Sequence, residues 1–146
     1  MTAPDISVRN RQRKIPVNVA DLEIFAGKAL RRCLQLQKRK PTDLDNLHEV
    51  FVWLISDRRM ASLHRKFMHQ TGPTDVLTFQ HGEIFISVET AKRHAQACRN
   101  SLPSELYLYI AHGLLHLHGF DDRTPAAARK MKAMQKKIVR NCGRDR

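Results

Sequence analysis

Leu106-Tyr-Leu-Tyr-Ile-Ala-His112-Gly-Leu-Leu-His116-Leu-His118-Gly119-Phe120-Asp121-Asp122 is the stretch around which the rest of the chain is read. Its first part is apolar nearly all round and predicts a buried, central helix. Two histidines four residues apart on a helix lie about 40° apart around the axis and roughly 6 Å apart along it, so one face presents both imidazoles. Gly119 permits a sharp reversal that can return Asp122 to the same point in space. Two imidazoles and a carboxylate leave a fourth position open, as a catalytic Zn²⁺ requires. A lone histidine in such a helix is more often a hydrogen-bonded core residue. Two on one face, followed by a glycine turn and an acidic pair, favour a metal, because each buried imidazole needs a partner. The expected ligands are His112, His116 and Asp122, although spacing alone does not choose between Asp121 and Asp122. His118 falls on a different face and is expected to be exposed or to support a ligand. The stretch points to a metal-dependent hydrolase.

Charge is the second signal. Twenty-six Lys and Arg against fourteen Asp and Glu give a net charge of +12, with a pI near 10.3. Such an excess attracts polyanions, of which nucleic acid is the commonest in a cytosol. The cations cluster at Arg9 to Lys14, at Arg31 to Lys40 and from Arg129 to Arg146. RNA or an RNA-rich particle is therefore favoured over a membrane, since no basic amphipathic helix with bulky aromatics occurs. Neither a transmembrane-length run nor a signal-peptide pattern is present, and the three cysteines are dispersed and odd in number. Reduced thiols and a cytoplasmic location are expected. At 146 residues, residues 1–146 are read as one domain.

Periodicity gives a coarse architecture. Ile6 to Val19 mixes β-branched and basic residues with Pro16 and reads as an edge strand. Ala20 to Gln37 carries a helical apolar stripe, and Pro41-Thr-Asp breaks it. His48 to Ser56 is rich in β-branched and aromatic residues and reads as a strand. Arg58 to Met68 returns to helical spacing, and Thr71-Gly-Pro-Thr reads as a turn. Asp75 to Phe79 and Glu83 to Ser87 form two short strands around Gln80-His-Gly, a hairpin. Ser87 can cap a helix through Asn100, Pro103 suits the first turn of the next, and Thr124-Pro125 opens a basic C-terminal helix. The result is an α/β (α+β) domain, a small mixed sheet packed with about five helices around the histidine-bearing one.

At this point the pattern resembles the YbeY family of bacterial rRNA maturation factors, which are single-strand-specific metallo-endoribonucleases. Beside the two histidines, Gly113, Leu115, Leu117, Gly119, Phe120 and Asp121 match the signature H-G-x-L-H-L-x-G-Y/F-D-H. A second block matches at Pro73 to Phe79 and at Gly82 to Ser87. The resemblance implies one Zn²⁺ per chain, a single-stranded RNA substrate, cleavage at the 3′ end of small-subunit rRNA and a role on ribosomal particles in quality control. Two departures stand out. The family's third ligand is usually His, where this chain has Asp122; a carboxylate is harder than imidazole and shifts preference toward oxygen-loving metals. The family also usually carries an Asn and an Arg where this chain has His64 and Met68, with Thr71 at its acidic position. Arg65, Lys66 or His69 can stand in for that Arg, and the candidate catalytic residues are His118, His69 and Arg65.

Two alternatives belong to other classes. A metzincin-like metalloprotease shares the ligand spacing but needs a Glu general base where this chain has Gly113. A non-catalytic RNA-binding assembly factor with a bound metal is compatible with Met68, whereas a structural Zn²⁺ usually has four protein ligands.

Overall fold

A computed structural model describes residues 3–69 and 74–143. The expected turn at Thr71 to Pro73 lies outside them. The chain runs β1 (Asp5–Asn10), α1 (Val19–Gln35), α2 (Asp43–Asn46), β2 (Glu49–Ile55), α3 (Asp57–Met68), β3 (Val76–Phe79), β4 (Glu83–Ser87), α4 (Val88–Ala97), α5 (Leu102–Leu117) and α6 (Pro125–Cys142). One four-stranded sheet has the order β1-β2-β4-β3. β1–β2 and β2–β4 pair in parallel, whereas β3–β4 is the antiparallel hairpin. This is the expected α+β architecture with a small mixed sheet.

Strand alternation explains the layering. Val50, Val52, Leu54, Ile84 and Ile86 point to one face and are fully buried, in a core shared with residues of α1, α5 and α6. Phe51, Trp53 and Phe85 point to the other face, half-buried, with successive ring centroids 5.7 and 6.4 Å apart. Helix α5 is central as expected, packed against α1, α4, α6, β3 and β4. Gly113 is what lets it lie so close: a Cβ there would meet three Ile84 side-chain atoms at 2.7–2.9 Å.

Three local expectations need correction. β1 is an edge strand but stops at Asn10 instead of running to Val19. The Gln12 amide turns the chain, donating to Asn10 Oδ1 (3.0 Å) and the Ile15 carbonyl (2.7 Å) and accepting from Ile15 N–H. α1 is over before Pro41, as expected, but Thr42 then opens a one-turn helix beyond the expected five, because Thr42 and Asp45 form a reciprocal capping box. Ser87 stands at the N-cap of α4, but its hydroxyl donates to Asp57 Oδ1 and makes no cap bond. No helix among the described residues is long and apolar enough to cross a membrane.

Candidate metal centre

Helix α5 begins at Ser101, whose hydroxyl caps Ser104 N–H, with Pro103 in its first turn. It ends at Leu117 with His118 as C-cap, and the next residue, Gly119, has a φ of +90°, a region open chiefly to glycine. Gly119 N–H bonds the His116 carbonyl and Phe120 N–H bonds the Leu115 carbonyl, a Schellman closure. The turn brings Asp122 back to the helix. Ligating atoms of His112, His116 and Asp122 all lie within 4.8 Å of one another. Among the described residues Asp122, and not Asp121, joins the two imidazoles; Asp121 Oδ1 instead accepts from Arg123 N–H at 3.0 Å.

Both rings are oriented from behind. His112 Nδ1 lies 2.8 Å from Gln135 Oε1 on α6, and His116 Nδ1 lies 3.0 Å from the Phe120 carbonyl. A carbonyl oxygen only accepts, so in these contacts each Nδ1 donates, which leaves each Nε2 as the atom that can face a metal. The rings meet edge to face with centroids 4.5 Å apart. Burial, followed by the neighbouring His112 ring, holds His116 below its ordinary pKa, outweighing the opposing pull of Asp122. A neutral imidazole is the form that binds a metal. This donor set therefore fits a divalent cation.

The histidines open into a cleft of about 420 Å³ whose walls include Met68, Val76, Leu77, Phe79, Phe120 and Arg123. Met68 lies there, at the position where the family usually has Arg. Of the other candidates, Arg65 and His69 are exposed on α3 and at its C-cap, and neither lines the cleft. His118 is 2% exposed. Its Nε2 donates to the Leu36 carbonyl (2.8 Å) and its Nδ1 faces Thr42 Oγ1 (2.9 Å). It is neither solvent-exposed nor bonded to a ligand, and it joins α5 to the loop between α1 and α2. Sequence reasoning missed Gln135 and Arg123. Gln135 left a signal, a polar residue on the face of α6 that buries Met131 and Ile138.

The fold and this donor set define an α+β protein with a His-His-Asp group that could hold a metal, its two histidines lining a cleft. Residues 7–143 match the family model described as Endoribonuclease YbeY, and the chain belongs to the YbeY family. A relative from Gluconobacter oxydans, Endoribonuclease YbeY, is 33% identical over 123 residues, spanning 80% of this chain and 73% of that one. A relative of the same description from Anaeromyxobacter sp. is 37% identical over 102 residues, spanning 63% of this chain and about half (53%) of that protein. In fold, the chain is similar to a Thermotoga maritima protein solved in solution, with TM-score 0.62, 24% identity, and coverage of 93% and 90% of the two chains.

Proposed function

We propose that this chain is a metal-dependent endoribonuclease acting on single-stranded RNA, with residues 1–146 working as one domain. The observation that carries the reading is the pair of imidazoles whose Nδ1 atoms face Gln135 and the Phe120 carbonyl while a ligating atom of each lies within 4.8 Å of the other and of Asp122. His112, His116 and Asp122 would hold one Zn²⁺, or a harder divalent ion given the carboxylate. That ion would supply Lewis-acid polarisation of a phosphoryl oxygen.

The chain's own residues do the rest. Gln135 and the Phe120 carbonyl fix ring tautomer and angle, so the site is shaped before a ligand arrives. Arg123, a wall of the cleft, is placed to offset charge developing on a phosphate. Met68, Leu77 and Phe79 give the cleft an apolar side that limits water. The excess of twelve positive charges favours RNA over peptide substrates, and Gly113, held against Ile84, offers no proton acceptor of the kind a metalloprotease needs. By family resemblance, the substrate is the 3′ region of small-subunit rRNA on ribosomal particles in the cytoplasm.

Metal analysis of the purified protein, with cleavage of single-stranded RNA before and after chelation, tests the reading. Metal-dependent cleavage is expected. A protein that binds no divalent ion, or that cleaves equally well after chelation, overturns it.

A further inference from the structure

Beside the metal cleft lies a second hollow, lined by Lys38, Arg39, Lys40 and Thr42, which shares Asp43, Leu117 and Gly119 with the cleft. The two are therefore continuous across the Gly119 turn. The three cations are consecutive and exposed, and none forms an ion pair among the described residues. Of the acids nearby, Asp45 is taken up by the Thr42 capping box, Asp43 stands at the border, and Asp121 lines the cleft on the far side of Gly119. Lys38 Nζ sits 3.8 Å above the Phe120 ring, and Lys130 Nζ is 5.9 Å from the same ring, which extends the cations to the cleft wall.

The loop that carries these charges is fastened at both ends by one residue. Buried His118, two residues past His116, bonds Leu36 on one side of the loop and Thr42 on the other. Three adjacent like charges repel one another, and an untethered loop would splay them apart. Here the fold holds them together next to the turn that positions Asp122. A polyanion relieves that repulsion, and a phosphate chain leaving the cleft over Gly119 reaches these cations first.

We propose that Lys38, Arg39 and Lys40 form a phosphate-binding subsite for the RNA strand flanking the bond to be cut. The inference takes its ligand from the endoribonuclease reading, and its test is built to fail separately. Binding of a short single-stranded oligouridylate is measured under chelator, across a salt series, for three full-length proteins: wild type, the triple variant Lys38→Gln, Arg39→Gln, Lys40→Gln, and a control triple Lys28→Gln, Arg31→Gln, Arg32→Gln. The control cations are exposed on α1 around Cys142, at the opposite end of α6 from Phe120 and Lys130.

The loop variant is expected to lower the salt slope by about 2, from three contacts at roughly 0.7 each on a single strand, and to raise KM for RNA cleavage more than it lowers kcat. The control triple is expected to leave the slope at its wild-type value. Equal losses in both triples, or a wild-type slope in the loop variant, would overturn the subsite. A reduced slope in the loop variant alone, with no cleavage by any of the proteins, would keep the subsite and sink the nuclease reading.

Discussion

The ring of His116 and the carbonyl of Phe120 lie 3.0 Å apart, so the turn that ends helix α5 also orients an imidazole on that helix. Four residues of one local motif thus set a helix end, a tautomer and the return of Asp122. The link passes through Gly119, whose φ of +90° makes the turn possible.

Gly119→Ala should therefore act on the metal more than on the core. A Cβ there meets only ordinary contacts, with Thr42 at 3.5 Å and Lys38 at 3.6 Å. The cost is backbone strain of about 1–3 kcal/mol. Displacing the Phe120 carbonyl should weaken metal binding by about 10- to 100-fold. A metal titration giving wild-type affinity would show that the turn does not orient His116.

The two acids should behave differently. Asp122→Ala should lose metal affinity, and Asp122→His should restore it with a stronger preference for Zn²⁺ over harder ions such as Mn²⁺. Asp121→Ala removes an acceptor for Arg123 N–H and should cost less than loss of a ligand. Competition titrations with the two metals read this directly; greater loss in Asp121→Ala than in Asp122→Ala would exchange their roles.

Gly113→Ala tests the contact between helix and sheet. Alanine gains up to about 1 kcal/mol of helix propensity. Against that, three atoms of fully buried Ile84 would stand under 3.0 Å from the new methyl, and overpacking a core costs typically 1–3 kcal/mol. A net loss of about 1–2 kcal/mol is expected from urea unfolding, and pairing with Ile84→Val should recover part of it.

His118→Leu should destabilise the fold by about 2 kcal/mol, since it removes the buried imidazole that bonds both the Leu36 carbonyl and Thr42. Metal content should stay at the wild-type level, because His118 is not among the converging ligands. Loss of metal without loss of stability would contradict the structural role of this residue.

The pH dependence has a definite sign. His116 is held below its ordinary value of 6.5 by burial first and by His112 second. In metal-free protein the unfolded chain therefore takes up this proton before the folded chain does. No penalty exists above pH 6.5; stability falls as pH drops from there through the lowered folded value, and protons compete with metal only once pH reaches that folded value. NMR titration placing His116 at or above 6.5 would contradict the assigned environment.

The sequence by itself determined the elements and the ligand-bearing face. Helical spacing put His112 and His116 on one side of α5, β-branched and aromatic richness marked His48 to Ser56 as a strand, and proline, glycine and Ser/Thr caps marked several boundaries. These are local properties of the chain. Where a side chain replaced a backbone pattern, the local reading failed. Gln12 stopped β1 at Asn10, and Ser87 gave its hydroxyl to Asp57 instead of capping α4.

Only the tertiary structure brought Asp122 within reach of both imidazoles, supplied Gln135 from 23 residues away to orient His112, and set His118 against Thr42 and Leu36, 76 and 82 residues away. It alone laid the Lys38 to Lys40 loop beside the metal cleft. Hydrogen bonds of that span depend on how separate elements dock, and periodicity within one element carries no record of its neighbours.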